Sequence, residues 1–189
     1  MTGKLTQQEK VTLLKAARQA LEAALHANPP APAEKIDLTP TLRELGASFV
    51  TLTRAGELRG CIGALEAYQP LLDDVREHAL AAALEDPRFP PLQADELAQI
   101  NIEVSHLSKP EILDYSSSQD LLEKLRPGVD GVILRDDWRR ATFLPQVWEK
   151  VTGKEEFLDH LCYKMGAAPD LWRRKHLEVL TYQVDEFHE

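Results

Sequence analysis

The chain has 189 residues, 43% hydrophobic and 28% charged, with a formal net charge of −9. A chain of that size buries enough surface to fold without disulfide or metal staples, and its acidic balance argues against tight non-specific binding to nucleic acid or anionic membrane. There is no apolar run of membrane-span length and no signal-like apolar core at the start. The only cysteines, Cys61 and Cys162, form no CxxC pair, so both thiols are expected free in a reducing cytoplasm.

In chain order, residues 6 to 27 have the apolar spacing of an amphipathic helix, with Thr6 and Glu9 at capping-box distance. The run "NPPAPAE" ends it and predicts a linker over 28–35. "TPTLRELG" predicts a short helix or turn with Gly46 as a left-handed C-cap. "ASFVTLT", the turn "RAGE" and "LRGCIGAL" predict a β-hairpin. "QPLLDDVREHALAAALED" predicts a helix whose Leu72, Val75, Ala79 and Ala82 form a small-residue face able to lie close to a sheet; His78 beside it reads as a packed core residue. "DPRFPPL" breaks that helix.

"INIEVSHLS" alternates as a half-buried strand does. "SSQDLLEKLRPG" predicts a capped helix, and "GVILRDDWRRATFLP" a hairpin turning at Asp136 and Asp137. Residues 154 to 165 predict a helix closed by Gly166, with Cys162 on its core face, and "HLEVLTYQVDEF" predicts a final strand. Hairpins mixed with helices and no regular βαβ alternation give an α+β class, a mixed or antiparallel sheet with packed helices, in a single domain over 1–189.

No dinucleotide fingerprint, Walker A loop, zinc-protease motif, radical SAM cysteine triplet or nucleophile elbow is present. The six histidines lack ligand spacing, so no metal site is assigned. Basic clusters at Arg135, Arg139 and Arg140 and at Arg173, Arg174 and Lys175 read as solvated faces.

The stretch "ELRGCIGALE" carries the chemistry. By strand alternation, Leu58, Gly60, Ile62 and Ala64 share one face, and Arg59, Cys61 and Gly63 the other. A guanidinium beside a thiol favours the thiolate, and Gly63 leaves an opening next to the sulfur. Buried free cysteine also serves as a small hydrophobe, so a structural reading stands beside the reactive one.

"LRGCIG", "DPRFPPL", "ATFLPQVWEK" and "FLDHLCYKMG", in that order, resemble the AMMECR1 family, called AmmeMemoRadiSam system protein A in bacteria and archaea. The resemblance runs from about residue 8 to 187 and implies an α+β fold of two unequal lobes with a cleft near the "LRGCIG" strand. It also implies a Memo-like protein and a radical SAM protein as companions. It supplies no reaction and no cofactor. Met165 stands where relatives tend to have a small residue.

The resemblance marks Arg59, Gly60, Cys61 and Gly63, then Asp86, Arg88 and Phe89. Arg88 either serves a site or anchors its loop on Asp86. Glu103 approaches Cys61 or Arg59 if its strand lies next to "LRGCIG", and otherwise belongs to a solvated face; Thr142 is a candidate of the same kind. Two functions follow. One is an enzyme or accessory subunit with Cys61 and Arg59 as catalytic groups and Gly60, Gly63, Arg88, Glu103 and Thr142 about a small-molecule or peptide ligand. The other is a non-catalytic binding partner in which "LRGCIG" is purely structural.

Overall fold

The structure, a computed structural model, describes residues 4–25 and 38–189. The predicted linker over 28–35 lies outside the described residues. The chain divides into two compact units, one running to Leu107 and joined by Asp185–Glu189, the other Ser108–Val184.

The first unit opens with helix α1 (Gln7–Leu25). The predicted capping box is formed reciprocally: Thr6 N donates to Glu9 Oε2 at 2.8 Å and Glu9 N to Thr6 Oγ1 at 3.2 Å. After the short helix α2 (Pro40–Arg43) come strands β1 (Leu45–Arg54) and β2 (Glu57–Gly63), joined by a two-residue turn. Ala55 and Gly56 both have positive φ there, 52° and 84°, which matches the twist of a tight hairpin. Gly46 does not cap a helix as expected. It lies inside β1, where a Cβ would meet Leu71 at 2.7 Å, so packing selects it.

Strand β3 (Gln69–Pro70) leads into helix α3 (Leu71–Leu84), and β4 (Ile100–Leu107) completes the first run. The sheet order is β2-β1-β4-β9, with β9 (Val184–His188) returning from the end of the chain and β3 pairing with β1. Helix α3 lies on β1 and β2, and α1 packs on α3 and reaches β4. Leu72, Val75, Ala79 and Ala82 are buried as predicted, among Val50, Leu52, Ile102 and Val104 of the sheet. His78 is buried as predicted, with Nδ1 3.2 Å from Asp74 Oδ2, which also accepts from Ser48 Oγ at 2.6 Å.

The second unit carries a four-stranded antiparallel sheet in the order β5-β8-β6-β7, from β5 (Glu111–Ile112), β6 (Gly131–Asp136), β7 (Arg139–Phe143) and β8 (Glu178–Tyr182). Helices α4 (Ser118–Lys124), α5 (Lys154–Lys164) and α6 (Leu171–Arg174) accompany it. Its core includes Phe157, Leu158, Leu161, Cys162 and Met165, the face predicted for α5, with Trp148 stacked on Phe157 at 3.6 Å. The β6–β7 hairpin turns one residue later than expected, at Asp137 and Trp138. The expected final strand is two strands, because the chain leaves one sheet after Tyr182 and enters the other at Val184. Both sheets and the helices beside them bear out the α+β class.

Candidate functional site

Strand β2 is an edge of its sheet, and its register against β1 contains a bulge. Leu52 faces Gly60 while Thr53 faces Leu58, so Arg59 is the extra residue. The bulge corrects the simple alternation read from sequence. Leu58 follows Thr53 to the face away from α3, where it is 43% exposed, while Gly60 and Ile62 stay over the core. At Gly60 the reason for glycine is plain: a Cβ would stand 2.0 Å from the carbonyl oxygen of Ala82 on α3.

Gly63 is not an opening beside the sulfur. A Cβ there would meet Phe49 Cγ and Ser48 O at 2.4 Å and Phe49 Cα at 2.5 Å, so the missing side chain is filled by the neighbouring strand. The "LRGCIG" glycines therefore let an edge strand be gripped from both sides.

Cys61 sits half-buried between them, and the "DPRF" loop closes the sheet edge at this residue. Cys61 N donates to Asp86 Oδ2 at 2.8 Å, and Arg88 Nη2 donates to Cys61 O at 3.2 Å. Asp86 and Arg88 thus stand in for the strand that an edge lacks. The loop is internally braced. Asp86 Oδ1 accepts from Arg88 N at 3.1 Å and Nε at 2.9 Å, and Oδ2 from Nη2 at 2.6 Å. The Arg88 guanidinium holds the Asp86 carboxyl far below the usual carboxylate range, helped by the Cys61 N–H.

Because both backbone groups of Cys61 point away from β1, Cys61 and its partner Thr51 form a non-hydrogen-bonded pair, the kind with closer side chains. Thr51 Oγ1 donates to Cys61 Sγ at 3.3 Å. The cation at Cys61 is Arg88, which reaches the Cys61 carbonyl and whose guanidinium is held charged first by Asp86.

Arg59 is engaged elsewhere. Its Nε and Nη2 bind the two oxygens of Glu96 at 3.1 and 3.0 Å, and Nη1 donates to Pro90 O at 3.0 Å. Both side chains are mostly buried, 12% and 15% exposed. Arg59, followed by Gln93 N–H, lowers the Glu96 carboxyl from its ordinary 4.5 to about 2. A depressed carboxyl contributes stability that is present above its unfolded value and lost as pH falls through the folded one. The wild type should therefore lose stability between pH 4.5 and about 2 through this group. Glu96→Gln should flatten that part of the acid-unfolding curve, read by circular dichroism; an unchanged curve would show that the pair is energetically idle.

Glu103 does not neighbour β2, because β1 lies between β2 and β4. Thr51 is the register partner of both Cys61 and Glu103, so the three form one row across three strands, with Cys61 and Glu103 about 10 Å apart at the backbone. Glu103 is half-buried and has no protein partner among the described residues. His106, further along β4, has its pKa pushed down by burial, against the pull of Asp185 and Asp74. Thr142 belongs to the other unit, buried on β7 with Oγ1 3.1 Å from Tyr182 Oη. Among the described residues, no group of three or more His, Cys, Asp or Glu is arranged to hold a metal ion.

The sequence reading missed Thr51 and Glu96. Glu96 carries no local signal, since it pairs with a residue 37 positions away. Thr51 becomes readable only once the bulge is known.

A family model described as AMMECR1 matches residues 14–187. A protein of Methanothermobacter thermautotrophicus is 40% identical over 190 residues, covering 98% of this chain and 96% of the relative. Protein MK0488 of Methanopyrus kandleri is 36% identical over 200 residues, covering 100% and 92%. The crystal structure of uncharacterized protein PH0010 from Pyrococcus horikoshii is similar with a TM-score of 0.75 at 31% identity, covering 100% of this chain and 94% of that one.

Proposed function

That the chain belongs to the AMMECR1 family is the premise from which we propose that Cys61 is the working group of a site on the β2 edge, a nucleophilic or redox thiol for a small ligand whose anionic end meets Arg88. The observation that carries this reading is the half-buried sulfur accepting from the Thr51 hydroxyl at 3.3 Å on the residue whose carbonyl the Arg88 guanidinium reaches at 3.2 Å. The thiolate, its proton released to solvent, attacks an electrophilic carbon or sulfur; the new bond to Sγ forms as the leaving group departs with the old bonding pair. Arg88 spends Nε and Nη2 on Asp86 and Cys61 O, which leaves Nη1 for the ligand on a side chain 53% exposed.

In this reading the protein works in the cytoplasm as an enzyme or accessory subunit with a Memo-like and a radical SAM protein, without nucleic acid or membrane. No helix among the described residues is long and apolar enough to cross a membrane. One observation favours the second reading, a non-catalytic binding partner: Asp86 and Arg88 satisfy both backbone groups of Cys61, which is what edge closure alone requires.

Iodoacetamide labelling against pH separates the two, with the fully buried Cys162 as internal control. The thiol reading expects Cys61 to react faster than glutathione at neutral pH, and Thr51→Val and Arg88→Gln to slow it. Labelling no faster than glutathione, together with unchanged cellular function in Cys61→Ser, would leave edge closure as the motif's role.

A further inference from the structure

The second unit contains a concavity of about 170 Å³ that the Cys61 reading does not involve. Ser116, Ser117 and Ser118 form one wall; Arg173, Arg174, Lys175 and His176 form another, and no acidic residue lines it. From this geometry we infer a binding site for a single tetrahedral oxyanion, the phosphate group of a small phosphorylated metabolite.

The walls are braced. His176 is stacked on Tyr115 with ring centroids 4.2 Å apart, and the Tyr115 hydroxyl is fixed by Leu177, accepting from its N–H at 2.8 Å and donating to its carbonyl at 2.9 Å. Ser116 N and Oγ both donate to Asp120 Oδ2, at 2.8 and 3.1 Å. That carboxylate is also held by Lys124 at 3.0 Å, so its charge is engaged on its own segment.

The cations have donors to spare. Arg174 makes one ion pair, to Asp170 at 2.7 Å, and both partners are more than half exposed, 58% and 54%. Such a pair contributes little and re-forms around a better acceptor. Lys175 gives two contacts to acids, Asp136 at 2.5 Å and Asp137 at 3.6 Å, and keeps a third N–H. Arg173 is held by Glu155 and Asp159 and by its position over Trp172, so it shapes the wall rather than reaching for a ligand.

Volume sets the ligand class. The space equals about five or six waters of liquid and falls below the roughly 300 Å³ at which sites for drug-sized molecules begin. It suits one phosphate and its nearest atoms. Nucleic acid offers the same chemistry along a polyanion, which the net charge of −9 repels.

The test is an NMR titration of the full chain with inorganic phosphate, using chloride at matched ionic strength as the reference. Saturable amide shifts confined to Ser116–Ser118 and Arg173–His176 are expected. Arg174→Gln should weaken binding about tenfold, as loss of a charge-assisted hydrogen bond does, and Arg76→Gln, far along the sequence on α3, should leave it unchanged. Shifts spread over all exposed basic residues, equal weakening by Arg76→Gln, or no localised shift would overturn the site. A second arm uses a short single-stranded oligonucleotide; tighter binding of it than of phosphate at the same amides, falling steeply with salt, would overturn the metabolite in favour of a nucleic-acid contact.

Discussion

Gly60→Ala is expected to destabilise the protein by roughly 3 kcal/mol or more, the upper range for overpacking a closed core. The added methyl would stand 2.0 Å from the Ala82 carbonyl oxygen and 3.0 Å from its carbonyl carbon. Both are backbone atoms inside α3, so relief requires moving the helix or the strand rather than turning a side chain. Gly153→Ala is the matched control, because nothing lies within 4 Å of its Cβ position and its φ of 178° is ordinary extended backbone. That variant should stay within about 0.5 kcal/mol of wild type. Urea denaturation midpoints of the two variants decide the matter. Similar midpoints would mean that α3 yields freely and that the glycine is not there for helix–sheet approach.

Asp86→Ala should cost about 1–3 kcal/mol, the range for a buried donor left without a partner. Asp86 is 4% exposed and holds the Cys61 N–H and three donors of Arg88 at once. Asp86→Asn retains an amide oxygen for the Cys61 N–H but loses the carboxylate fork for Arg88, so it should cost less. Hydrogen exchange gives the sharper readout. The Cys61 amide should exchange faster in Asp86→Ala than in wild type and nearly normally in Asp86→Asn. If all three exchange alike, the loop does not close the edge. If exchange rises while thiol labelling is unchanged, the loop closes the edge without tuning the sulfur.

Much of the local structure was legible because it depends on neighbours in sequence. The β1–β2 hairpin followed from β-formers on both sides of "RAGE", and the Thr6–Glu9 capping box and the Gly166 helix stop from spacing alone. The close approach of α3 was readable from its alanines, and Gly60 is where it happens. The neighbourhood of the sulfur was less accessible. Counting back from the Ala55–Gly56 turn pairs Arg54 with Glu57 and would place Thr51 opposite Gly60. The bulge at Arg59 moves the register by one, so Thr51 faces Cys61 instead.

The same extra residue directs Arg59 to Glu96 and leaves the Cys61 backbone to Asp86 and Arg88. A pairing of strands in the order β2-β1-β4 likewise depends on contacts between distant segments, which is why Glu103 lies in the row of Cys61 without being its neighbour. Arg59 and Arg88 are equivalent by composition and differ only in where a bulge and a loop direct them.

The first sheet receives β9 only after the second unit has been made, for residues 185–189 return to the unit that ended at Leu107. Lys10 binds Asp185 at 2.6 Å and Arg18 Nε binds Glu189 at 3.1 Å, so the first helix waits for the last strand. During synthesis, β4 therefore keeps an unpaired flank while the whole second unit leaves the ribosome. The early half of the chain can collapse around α3, but its closure waits for residues that are made after the whole second unit.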